Sequence, residues 1–167
     1  FVHPVLEIKT TPSTSGTLLT AKITAGKEIV FSKNYTEASK NIRRLGHRLA
    51  RDVLRAVTGE TAFFVSRIAC TLKHKGKKEV WIVDWDGKNA EALTDWSSVS
   101  MLPAFSRDGK KVALTSYRDG NPDLYLLDVA TRKRAVFSDR QGLNASPTFD
   151  PLGEGLIATL SLGGDPN

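Results

Sequence analysis

The chain has 167 residues, 40% of them apolar, a single cysteine and a formal net charge of +6, with an isoelectric point near 9.6. That length allows one domain or two small ones. The composition excludes global disorder, and no apolar run approaches the ~18–20 residues a membrane-spanning helix needs. One cysteine cannot form an internal disulfide, and the positive charge admits an acidic protein, a nucleic acid or an anionic membrane surface as partner.

Residues 1–35 read as β structure. Val2–Ile8 is a candidate strand, Thr10–Gly16 is a Thr/Ser/Pro/Gly turn region, and Leu18–Thr24 and Glu28–Lys33 are strands joined at Ala25-Gly26-Lys27. The start at Phe1, with neither Met nor a leader-like segment, predicts that the true start of the protein lies upstream.

Residues 36–58 read as a helix. Thr36 is the expected N-cap, with Glu37 in the first turn where it favours the helix dipole. Ile42, Leu45, Leu49, Val53 and Val57 recur at three- and four-residue spacing and build one apolar stripe. Gly59 suits the left-handed cap that ends many helices. Gly46 costs roughly 1 kcal/mol against alanine inside a helix, which predicts a close neighbour there. Between Thr36 and Thr58 six bases face two acids, leaving +4 on one segment. Arg44, Arg48, Arg51 and Arg55 share a face that reads as solvated, as contact for an acidic protein or, third, as a nucleic-acid surface. The stripe needs a partner, and the preceding strands supply it, so residues 1–62 form an α+β portion with a helix on a small sheet.

From residue 63 onward the sequence repeats. At a shift of 44 residues, Pro103-Ala104-Phe105-Ser106 falls on Pro147-Thr148-Phe149-Asp150, and Gly109 on Gly153. Gly120-Asn121-Pro122 likewise falls on Gly164-Asp165-Pro166, and the run Glu79–Asp84 on Asp123–Asp128. Val112–Tyr117 and Leu124–Val129 are short apolar strands, and Asp108-Gly109 marks a tight turn. A period in the low forties with four strands per period is the signature of a β-propeller blade. Sequence units at 66–105 and 106–149 are two blades, and a third begins at Pro151. Propellers close with four to eight blades, so residues 63–167 predict an incomplete propeller. Open strand edges then predict self-association, or stabilisation by further chain.

Catalytic chemistry is sparse. His3, His47 and His74 lie at no metal-like spacing. There is no nucleophile elbow, phosphate loop or dinucleotide fingerprint, and Asp108-Gly109 and Asp119-Gly120 lack the acid series of a calcium loop. No catalytic, cofactor or metal residue is therefore expected, and no cofactor. Cys70 reads as a small buried apolar residue of the Ile68–Leu72 strand. Asp84 and Asp128 occupy one position in two repeats, which predicts a structural task such as holding a turn.

The repeat Ser-Pro-Thr-Phe-Asp, Asp-Gly-Lys, then a strand and Gly-Asn-Pro-Asp-Leu-Tyr-Leu-Leu-Asp resembles the TolB-type propeller repeat, which the propellers of prolyl-oligopeptidase-like serine peptidases share. The segments Leu18–Ile23, Gly26-Lys27-Glu28, Arg43–Val53, Thr58-Gly59-Glu60 and Ser66–Ala69 are similar to the end of the TolB amino-terminal domain running into its first blade. The resemblance implies that residues 1–62 are the carboxy-terminal part of that domain. Residues 63–167 would be the first two blades and the start of a third of a six-bladed ring. It implies a non-enzymatic periplasmic adaptor of the Tol–Pal envelope system, whose amino-terminal domain engages a TolA-like protein and whose propeller binds a Pal-like lipoprotein. It assigns no partner contact to any residue here. A peptidase propeller is the second reading, distinguished by what precedes the first blade.

Overall fold

The computed structural model describes residues 3–74, 76–162 and 165–166, with the side chains of His74, Leu162, Asp165 and Pro166 left aside. The chain divides into two units, 1–66 and 67–167.

The first unit is a three-stranded antiparallel sheet with one helix. Strands β1 (Pro4–Ser13), β2 (Gly16–Ala25) and β3 (Glu28–Glu37) follow in order, with β2 in the centre. Gly26, at φ 63°, turns β2 into β3 where the sequence places a hairpin. The stretch Thr10–Ser13 does not turn but continues β1, pairing with Leu19 through Gly16. The expected strand at Val2–Ile8 thus starts at Pro4, with Val2 outside the described residues, and runs on to Ser13.

The helix α1 covers Ile42–Thr58, after a short 3-10 turn at Ser39–Asn41. Thr36 is not its N-cap. Thr36 and Glu37 complete the β3 ladder opposite Leu18 and Thr17, because two more strand residues gain paired backbone groups that a cap would forgo. Gly59, at φ 77°, closes the helix by donating its N–H to the Arg55 carbonyl at 2.9 Å. Leu45 and Leu49 pack on Leu19, Ala21 and Tyr35, with Phe31 and Val53 at the margin. Only the middle of the stripe is covered, since Ile42 and Val57 stay exposed. The strand residues facing this helix alternate at 19, 21 and 23, as a one-sided sheet requires. A side chain at Gly46 would meet nothing within 4 Å, so the expected close neighbour is absent.

The second unit stacks three sheets. The first contains β4 (Arg67–His74), β5 (Lys77–Asp84) and β6 (Glu91–Ala92). The second contains β7 (Ser100–Phe105), β8 (Lys111–Ser116), β9 (Asp123–Asp128) and β10 (Arg134–Ser138), ordered β10-β9-β8-β7. The third contains β11 (Asn144–Phe149), β12 (Leu156–Leu162) and β13 (Asp165–Pro166). Of the repeated Gly164-Asp165-Pro166, Gly164 lies outside the described residues. Among the described residues the sheets do not close into a ring, and the architecture is an incomplete propeller. The four-stranded sheet spans 100–138, so sheets and sequence units are out of phase by one strand. β7 ends one sequence unit yet opens the next sheet, where it packs against β4, β5 and β11.

One face of the second sheet presents Val112, Leu114, Tyr125 and Leu127 to Val80, Ile82 and Leu93. The other presents Ala113, Thr115 and Leu124, also buried, on the side of the third sheet. A sheet covered on both faces reads as continuous apolar runs, which is why Val112–Ser116 is buried throughout. Each large aliphatic side chain so buried contributes about 1.5–3 kcal/mol.

The repeat also shows in the backbone. β7 and β11 each bulge before a proline, with Leu102 at φ 54° and Ser146 at φ 53°, 44 positions apart. Ser106 N–H donates to the Lys111 carbonyl at 2.9 Å, and its counterpart Asp150 to Gly155 at 3.0 Å.

Candidate protein-binding surfaces

In the first unit the arginine face is partly tied down. The Asp52 carboxylate, on α1, accepts Lys33 Nζ at 2.6 Å, Tyr35 Oη at 3.0 Å and Arg51 Nε at 2.9 Å. Burial pushes the Asp52 carboxyl up, but the hydrogen bonds from Lys33, Arg51 and Tyr35 outweigh it and hold the group down at about 2. Burial, then the bond to Asp52, pushes the Tyr35 hydroxyl well above its ordinary range. Glu37, at the end of β3 rather than in the helix, meets Arg48 at 3.5 Å and Asn41 Nδ2 at 3.1 Å. The Arg48 guanidinium lies 5.8 Å from the centre of the Tyr35 ring. Thus Arg48 and Asp52 lock the helix to β3 and Arg51 braces Asp52 from within the helix, while Lys40, Arg43, Arg44 and Arg55 remain exposed. The sequence treats the face as one surface, and the structure divides it into a packing half and a solvent half.

In the second unit a groove runs between successive sheets at the same end. The first, about 420 Å³, is lined by Arg67, Glu91, Gly109, Lys110, Asp128 and Arg132. The second, about 740 Å³, includes Lys111, Phe137, Leu152, Gly153 and Glu154. Arg67, Gly109 and Lys110 of the first correspond, 44 positions on, to Lys111, Gly153 and Glu154 of the second. Each groove is bridged by an arginine that donates to a backbone carbonyl of the next sheet, Arg67 to Gly109 at 3.1 Å and Arg107 to Pro151 at 3.0 Å. Arg132 adds an ion pair to Glu91 at 3.0 Å across the first. One frame therefore carries two chemistries, charged in the first groove and apolar at Phe137 and Leu152 in the second.

The repeated aspartates hold turns. Asp128 Oδ1 accepts the N–H groups of Ala130 and Thr131 and the Thr131 hydroxyl, at 3.1, 2.8 and 2.9 Å. Those bonds, led by the Thr131 backbone, hold its carboxyl below the usual range. Asp84 opens the equivalent turn and accepts Asn89 Nδ2 at 2.7 Å. Asp108 accepts Ser106 Oγ at 2.7 Å and the Lys110 N–H at 3.0 Å, and Asp119 accepts Tyr125 Oη. His3 is exposed, His47 half-buried on α1, and Cys70 half-buried in β4 rather than fully buried. Among the described residues no three His, Cys, Asp or Glu side chains come together as a metal cage. Glu79 enters the sequence reading only as the start of a repeated strand, and Trp96, Arg118 and Arg134 do not enter it. These lie far apart in the chain, and no spacing rule joins them.

Stacked antiparallel sheets of three and four strands in a sequence that repeats every 44 residues, preceded by a sheet with one helix, define a propeller protein whose available surfaces are grooves and charged faces. The family model for the TolB beta propeller domain matches residues 54–167. The chain belongs to that family. It is 36% identical over 139 residues to the Tol-Pal system protein TolB of Desulfosudis oleivorans, covering 83% of this chain and 32% of that protein. It is 35% identical over 141 residues to the TolB homolog of Chlorobaculum tepidum, covering 84% and 32%. The crystal structure of TolB from Acinetobacter baumannii superposes with a TM-score of 0.84 at 25% identity, over 98% of this chain and 42% of that one. The chain spans about a third of the length of the curated relatives it matches.

Proposed function

We propose that this chain is part of a non-enzymatic, periplasmic protein-binding scaffold of the Tol–Pal envelope system. Residues 63–167 supply the first two blades and the start of a third of a propeller that binds a Pal-like lipoprotein. Residues 1–62 supply the carboxy-terminal part of an amino-terminal domain that engages a TolA-like protein. The observation that carries this reading is the propeller-family match running from within α1 to the last residue, in a chain whose relatives are named Tol-Pal system proteins. The helix on a sheet before the first blade supports this over a peptidase propeller. A pull-down from envelope extract with the full-length protein tests it. Recovery of the lipoprotein and the TolA-like protein is expected. Recovery of neither by folded bait overturns it.

A further inference from the structure

The side chain of Trp96, in the connection between β6 and β7, is held from three directions. Its backbone N–H and that of Ser97 both donate to Glu79 Oε1, at 3.1 and 2.9 Å. Glu79 is itself buried, and its other oxygen accepts the Thr94 hydroxyl. The indole meets Tyr125 edge-on, with ring centres 5.1 Å apart at 60°. Two guanidinium groups then lie over the same ring, Arg118 at 5.3 Å and Arg134 at 5.7 Å. Such stacking uses the π face of each guanidinium and leaves its edge N–H groups free to form a fork. Arg118 has one acid nearby, Asp119 at 3.6 Å, whose other oxygen accepts Tyr125 Oη at 2.5 Å. Glu79 adds a second acid, but it is buried and already accepts three donors, so the exposed Arg134 guanidinium is left without a carboxylate partner among the described residues.

The repeat separates this cluster from blade architecture. Asp128 recurs as Asp84 because every blade needs that turn. Trp96 has Arg140 at its counterpart position, Arg134 has Ala90, and Arg118 has His74 on one side and Leu162 on the other. A blade therefore folds without this trio. Trp, Tyr and Arg are also the residue types that dominate binding energy at protein interfaces.

We propose that Arg118 and Arg134, braced on Trp96, form a recognition site for a carboxylate side chain on an acidic segment of a protein partner. The indole is committed to guanidinium stacking and to Tyr125, so it does not offer the open platform a nucleic-acid base needs. This site goes beyond the reading above, which assigns no residue, and its test uses neither lipoprotein nor TolA-like protein, so either idea can fail alone.

The test is a titration of the full-length protein, labelled at tryptophan indole nitrogen, with hexaglutamate peptide at low salt. The Trp96 indole signal, assigned by its loss in Trp96→Phe, is expected to shift saturably. Arg118→Gln with Arg134→Gln is expected to weaken binding by about tenfold or more. Should the double variant fail to fold, Arg134→Gln alone, at an exposed position, is expected to weaken it several-fold. Absence of a saturable shift overturns the proposal. So does an unchanged affinity in the folded variants, or an equal response to inorganic phosphate or hexalysine.

Discussion

The two units solve the same burial problem differently. In the second, sheets cover one another, so the middle sheet is buried on both faces and turn and bulge geometry recurs every 44 residues. In the first, one helix covers part of one sheet face. Its β1 is exposed along its whole length, Val5, Leu6 and Ile8 included. The helix is fastened by a few apolar contacts and by two carboxylates, chiefly Asp52 with its three donors and also Glu37 paired with Arg48. Stability is thus distributed in the stacked unit and concentrated in the helical one.

The units can be read separately. All three tryptophans, Trp81, Trp85 and Trp96, lie in the second, and the one α-helix among the described residues lies in the first. Tryptophan fluorescence and far-ultraviolet circular dichroism therefore follow different units. The largest expected effect is from Leu114→Ala, at a fully buried position between sheets. It is expected to cost about 2–5 kcal/mol, seen first by fluorescence in urea. Equal displacement of both probes would break the comparison and show one cooperative body. Next is Asp52→Ala, expected to cost about 1–2 kcal/mol through loss of the Lys33 and Arg51 partners and an unpaired Tyr35 hydroxyl, seen first in the helical signal. The smallest is Gly46→Ala, expected to stabilise the helix by up to about 1 kcal/mol because nothing lies within 4 Å of the new methyl.

The Asp52 effect carries a pH signature. Its folded value of about 2 lies below the ordinary 3.8. A depressed carboxyl stabilises the fold fully above the unfolded value, and that contribution fades as pH falls from about 4 through 2. The gap between wild type and Asp52→Asn in acid melts should close over that window. A gap that stays constant from pH 6 to pH 2 would remove Asp52 from the role given to it.

The sequence reveals the helix, the hairpin at Gly26 and the propeller because each rests on local periodicity or on a repeat. It misplaces the helix start because Thr36 and Glu37 suit a helix N-terminus, yet strand pairing with β2 reaches them first. It misreads Thr10–Ser13 as a turn because Thr, Pro and Ser are turn formers in isolation, whereas pairing with β2 holds them extended. The phase of the blades is invisible because a period does not say which strand opens a sheet. The Trp96 cluster is invisible for a further reason. Its members come from one connection, one hairpin turn and one outer strand, and only sheet stacking brings them together.

The central claim is that this propeller family member is a protein-binding scaffold. The most direct test is calorimetric titration of the full-length protein with the soluble part of the Pal-like lipoprotein from the same organism. A saturable one-to-one complex with a dissociation constant of about 1 μM or tighter is predicted, a range that interfaces of standard size reach. No saturable heat at about 100 μM from folded partners, well above that range, would contradict the account.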